Sequence, residues 1–194
     1  MSRTGRAVVA LAPRIGACGL PPAGPSLEPV AGFELERRLG TWHEIATVPS
    51  GFQRALVTDT TAACGPAPED PGRIAVHDPC RTASGEEKVG EGRARSTGPH
   101  DRGALEVTFP GAAGDWLPAT SGAWLVIALD PGCRRAPIDR PSRDHARISA
   151  REPRLADAMR ARRCAVLAEA GYDSCRLVLP ATADPRRGAR PCRL

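Results

Sequence analysis

Gly32-Phe33-Glu34-Leu35-Glu36-Arg37-Arg38-Leu39-Gly40-Thr41-Trp42-His43-Glu44-Ile45-Ala46 decides how the rest of this chain is read. The stretch enters a β-strand through a Gly-x-Trp step, Gly40-Thr41-Trp42, and predicts a first strand over residues 41–48. Downstream, Val57 to Cys64 is Thr-rich and reads as a second strand. The run from Gly65 to Gly72, with three prolines, is a turn. Arg73 to His77 is a third strand, with Ile74 and Val76 on one face by the period of two. Glu87 to Ala94 is a polar fourth strand, and Leu105, Val107 and Phe109 alternate on a fifth.

Trp124 to Leu129 is a continuous apolar run, which predicts a sixth strand covered on both faces. Asp130-Pro131-Gly132 turns the chain into a seventh around Ala136 to Ile138, where Pro137 argues for an edge or a broken ladder. His145 to Arg151 is the eighth. Pro153 then suits a first helical turn. Leu155, Ala158, Met159 and Val166 share a helical face, and Gly171 ends the helix as a left-handed cap. The chain therefore reads as all-β: an eight-stranded up-and-down antiparallel β-barrel, sized for one small ligand, with one C-terminal α-helix packed outside.

The 194 residues suffice for one domain with a core, and 20 Gly and 20 Pro supply the turns that such a fold needs. At the start, Arg3 and Arg6 precede the apolar run Ala7 to Ala12, and Ile15-Gly16-Ala17-Cys18 resembles a bacterial lipobox. Residues 1–18 are then a lipoprotein signal segment ending on a lipidated Cys18. Residues 19–29 are a flexible Pro/Gly tether, 30–180 the barrel domain and 181–194 a basic tail. Removing Arg3, Arg6 and Arg14 leaves 24 basic against 22 acidic residues, so the net charge falls from +5 to +2. A near-neutral domain without a basic, aromatic-interleaved face argues against a nucleic-acid partner.

The opening stretch resembles the lipocalins, most closely the bacterial outer-membrane, apolipoprotein D-like type, whose run reads "F-x-L-x-R-Y-L-G-T-W-Y-E-I-A". The likeness continues in order through residues 29–180. It takes in Ala128-Leu129-Asp130-Pro131, the segment from Pro141 to Pro153 and Tyr172-Asp173-Ser174 after the helix. It implies a calyx, a structural trio of Gly40, Trp42 and Arg151, and an Arg151 guanidinium lying over the Trp42 indole at the closed end. It also implies binding, storage or transport of a small hydrophobic ligand, such as a fatty acid or lysophospholipid, at the bacterial cell envelope. The place implied is the outer membrane, with the domain facing the periplasm and held to the membrane by the lipid anchor. Ile45, Ile74, Val76, Leu105, Val107, Phe109 and Trp124 are the candidate wall positions.

Departures from the family pattern fall on its aromatic positions: His43 replaces a Tyr, and His145-Ala146-Arg147-Ile148-Ser149 replaces "Y-L-W-I-L". Only 4% of residues are aromatic, so the lining is expected to bind weakly or permissively. Cys64, Cys80, Cys133, Cys164, Cys175 and Cys192 remain beside Cys18, an even number that permits disulfides in an exported protein. Cys64 on the second strand carries the alternative of a thiol-dependent, lipocalin-type isomerase; a diverged barrel with no ligand is the other. A metal set of His43, Cys64, His77 and Cys80 is disfavoured, because neighbouring strand residues alternate faces. No Ser/His/Asp set, phosphate loop or carboxylate pair stands out, so neither an enzyme nor a cofactor is expected.

Overall fold

A computed structural model describes residues 27–48, 56–58, 61–82, 84–109, 116, 121–180 and 188–190. The expected signal segment with Cys18, most of the tether and most of the tail lie outside the described residues. The strands are β1 (Gly40–Thr47), β2 (Leu56–Thr58), β3 (Thr61–Pro66), β4 (Arg73–Thr82), β5 (Glu87–Ser96), β6 (Ala104–Thr108), β7 (Ser121–Val126), β8 (Arg135–Asp139) and β9 (Ala146–Ala150). All pairings are antiparallel, β1 pairs with β3 on one side, and on the other it pairs with β9 to close the ring. Segments β2 and β3 both lie on β4, with Leu56 opposite Thr82 and Ala63 opposite His77. They occupy one place in the ring, so the barrel has eight strands and no open edge.

Register sorts the side chains into two apolar clusters. Trp42, Ala62, Cys64, Ile74, Val76, Ala94, Leu105, Val107, Val126, Ala136 and Ile138 form the inner cluster, joined by Phe33 and Leu35 from the entry segment. Ile45, Ala46, Ala146, Ile148 and Ala150 point outward and meet Leu155, Cys164, Leu167 and Tyr172 from the helical segment. Each fully buried Leu or Ile here stabilises the fold by about 1.5–3 kcal/mol.

The helix α1 (Asp157–Glu169) begins four residues beyond Pro153, since residues 151–156 bend and extend first. It buries Arg160, Cys164 and Leu167, spaced by four and three, and leaves Ala158 exposed. The expected stripe of Ala158, Met159 and Val166 is thus rotated: Leu155 anchors the approach to the helix, not the helix itself. The C-terminus follows expectation. Gly171 has φ +87°, its N–H donates to the Ala168 carbonyl and that of Tyr172 to the Leu167 carbonyl, each at 2.9 Å. These two bonds make a Schellman cap, with Tyr172 packed in the same cluster as Leu167.

Two strand expectations need correction. The apolar run Trp124 to Leu129 straddles a strand end: β7 starts at Ser121 and stops at Val126, its side chains mostly half-buried. Ile127 then packs on the outer cluster and Leu129 on the inner one. Pro137 lies in no edge strand, because β8 sits between β7 and β9, yet its β7 ladder is short, with only Leu125–Asp139 and Val126–Ile138 in register.

Candidate functional site

The closed end is built on Trp42. Its Nε1–H donates to the Arg38 carbonyl at 2.8 Å, and the side chain is 1% exposed. The Arg38 and Arg151 guanidiniums stand 3.8 Å and 3.9 Å from the indole centroid. Two planar cations at that distance cannot share one face, so the ring is sandwiched. Arg151 also donates to the carbonyls of Thr41 (3.0 Å), Arg37 (2.8 Å) and Leu39 (2.7 Å), which fixes the turn that enters β1. Gly40 is required twice there: its φ is +93°, and a Cβ would lie 3.2 Å from Arg151 Nη1. Arg38 went unrecognised in the sequence, although its four-residue spacing from Trp42 across the Gly40 turn was visible.

Above this floor, Ile74, Val76, Leu105 and Val107 are buried on the inner wall, and Trp124 packs against them. Phe109 is at the mouth, 36% exposed, beside the bare backbones of Gly90 and Gly92. A Cβ on Gly92 would meet the Phe109 ring at 2.9 Å and the Thr108 carbonyl at 2.7 Å, so only glycine lets that ring lie there. Ile45 is not a wall residue. It lies three residues beyond the inward Trp42, so the period of two already puts it on the outer face under the helix, and the ladder shift between Glu44 and Ala46 brings Ala46 to that face as well.

The inner wall is also charged. Arg147 faces Ile138 across β8, and Ile138 faces Val126 across β7, so Arg147 shares the inner face with both. Its guanidinium sits 4.2 Å from the Trp124 ring centroid. His145, 7% exposed, meets the same indole edge-on with centroids 5.5 Å apart. Burial, with Arg147 and Arg140 nearby, pushes its imidazole down to about 4, so it is neutral at physiological pH. Burial raises the Asp78 carboxyl, against the pull of Arg147 and His77. Burial and the neighbouring cations lower Arg38 to about 10, still charged at neutral pH.

Thiol chemistry finds little support. Cys64, Cys133 and Cys164 are buried free thiols, so the six cysteines do not pair throughout, while Cys175 is disulfide-bonded. Burial raises Cys64 above the ordinary thiol range and outweighs the Arg38 charge beside it, so the nucleophilic thiolate is disfavoured. His77 is exposed and bonds Glu91 at 2.6 Å, on the face opposite the buried Cys64. Among the described residues no group of three or more His, Cys, Asp or Glu could hold a metal ion.

The model of the lipocalin-like domain family matches residues 33–182. The chain is a lipocalin. It is 32% identical over 157 residues to the outer membrane lipoprotein Blc of Escherichia coli K12, covering 81% of this chain and 84% of that one. It is also 30% identical to the Blc of Citrobacter freundii, over 89% and 92% of the two chains. Among solved structures, insecticyanin from the tobacco hornworm Manduca sexta superposes with a TM-score of 0.66 at 20% identity, over 87% and 90% of the chains. This lipocalin is therefore of the bacterial outer-membrane type, a protein of the cell envelope. Its relatives are binding proteins, not enzymes, and small hydrophobic ligands are the class that its calyx serves.

Proposed function

We propose that this lipocalin carries a single-chain lipid, a fatty acid or lysophospholipid, between envelope surfaces while anchored to the outer membrane through Cys18 and facing the periplasm. One observation carries the reading: a ring of eight strands without edges, stopped at one end by the sandwiched Trp42 and lined by Ile74, Val76, Leu105, Val107 and Trp124. Such a cup removes an alkyl chain from water on all sides but the mouth, at about 25 cal/mol per Å² of apolar area buried. Small side chains such as Ala62, Ala94 and Ala136 make the wall permissive, so binding is expected at micromolar or weaker affinity, about −8 kcal/mol or less favourable.

Native mass spectrometry of the protein extracted from envelopes tests both halves. The expected species carries a lipidated Cys18 at its new N-terminus and a displaceable lipid of a few hundred daltons. An unprocessed chain would contradict the anchor, and a ligand-free barrel under gentle extraction would count against the cargo.

A further inference from the structure

The inner surface of β7 carries two arginines that the hydrophobic cup does not call for. Arg147 stacks over Trp124 at 4.2 Å. Arg140, which follows β8, lies over the bare backbone two residues along: a Cβ on Gly122 would meet its Nη2 at 2.9 Å and Cζ at 3.4 Å. Residues 122 and 124 share a face and stand roughly 6.6 Å apart by strand rise. The two guanidiniums are therefore successive rungs on one wall, just inside the mouth.

Neither side chain has a hydrogen-bond or ion-pair partner among the described residues, and the Nε of each is buried without an acceptor. The remaining charged groups inside the barrel do not fill the gap. Arg38 and Arg151 belong to the floor. Glu44 has contacts of its own. Asp78 has a buried Oδ1 without a partner and forms no ion pair with Arg147. His145 meets the same indole edge-on and, being neutral at physiological pH, brings no charge to it. Buried guanidinium N–H groups without acceptors are costly, and an anion supplied by a ligand would satisfy them.

The backbone holds this pair in place. Tyr172 Oη–H donates to the Arg140 carbonyl at 3.1 Å, and Arg143 Nε–H donates to the Ala170 carbonyl at 3.2 Å. The loop between β8 and β9 is thereby tied to the capped helix end, and Arg140 stands on a fixed support.

We infer that Arg140 and Arg147 form an anion subsite in the lumen, which selects single-chain amphiphiles with a carboxylate or phosphate head over neutral ones. Stacking on the indole leaves the N–H edge of Arg147 free, and one carboxylate or phosphate can span the two rungs through charge-assisted bonds of about 2.8 Å on each side. The inference rests on the carrier reading and adds to it the charge of the cargo.

The test is displacement of a fluorescent fatty acid from the full chain by palmitate, hexadecyl phosphate, hexadecanol and inorganic phosphate. Palmitate and hexadecyl phosphate are expected to compete at least about tenfold better than hexadecanol. Inorganic phosphate alone should not displace the probe. Arg147→Gln, with Arg140→Gln as a second variant, should shrink the preference of acid over alcohol to about threefold or less. Equal competition by acid and alcohol in the wild type overturns the subsite while leaving the carrier intact, and this arm needs no variant to fold. Displacement by inorganic phosphate as strong as by hexadecyl phosphate overturns selection of an amphiphile. A wild type that binds no lipid overturns the carrier reading itself.

Discussion

Arg151 lies 3.9 Å from the centroid of the Trp42 indole while donating to three carbonyls of the turn that leads into β1. One side chain thus joins the end of the last strand to the start of the first, at the point where the barrel closes. Arg151→Ala removes three charge-assisted bonds and one face of the sandwich, and should destabilise by about 2–4 kcal/mol. Arg147→Ala, which loses only a stack, should cost less. Thermal melts of both variants check the order, and equal small shifts would contradict this description of the floor.

Gly40 makes a separate prediction, since it depends on backbone shape as well as space. Gly40→Ala sets a side chain at φ +93° and 3.2 Å from Arg151 Nη1, and should cost about 1–3 kcal/mol. Combined with Arg151→Ala, part of that cost should vanish, because the close contact is gone. Strict additivity in urea unfolding would show that the two residues are not coupled.

The floor was legible in the sequence because its parts are local or joined by a recognisable spacing: Gly40-Thr41-Trp42 at one end, Arg151 before Glu152-Pro153 at the other. The lumen was less so. Alternation gives a period of two but not which face is inside, so nothing at Arg147 itself indicated that it points inward beside Trp124. Ile45 needed no hidden feature to be placed: it is an odd number of residues from the inward Trp42, so the same period of two sets it on the outer face, and only Ala46 beside it owes its outward direction to the bulge. The helix face rotated because the chain extends for several residues after Arg151 before Asp157 starts the helix. Burial of Arg160 and Cys164 in place of Ala158 follows from that start, not from hydrophobicity.

His145 should make stability pH-dependent. Its folded value of about 4 lies below the ordinary 6.5, so the unfolded chain binds the extra proton first. Stability is full above about pH 6.5 and falls as the pH drops toward 4, by up to about 3 kcal/mol. Asp78, raised by burial, works in the opposite sense, gaining stability as pH falls. The wild type is therefore best compared with His145→Gln across pH 7.5 to 4.5. The variant should show a flatter unfolding free energy, and parallel curves would contradict the buried neutral imidazole.

Anchoring makes a cellular prediction. Cys18→Ser should move the protein from the membrane fraction to the soluble periplasmic fraction. A wild type already found soluble and uncleaved would remove the lipid anchor from the account.

Titration of the purified domain with a fluorescent fatty acid, followed through tryptophan emission and run beside Cys64→Ser, bears most directly on the carrier. Trp124, half-buried on the inner wall beside Arg147, is the expected reporter. Saturable quenching at micromolar concentration, little changed by salt because the alkyl chain supplies most of the energy and the paired charges are buried, is the predicted result. It should be the same in the Cys64→Ser variant. Turnover of a peroxide lipid that disappears with Cys64→Ser, or no binding of any single-chain lipid, would contradict it.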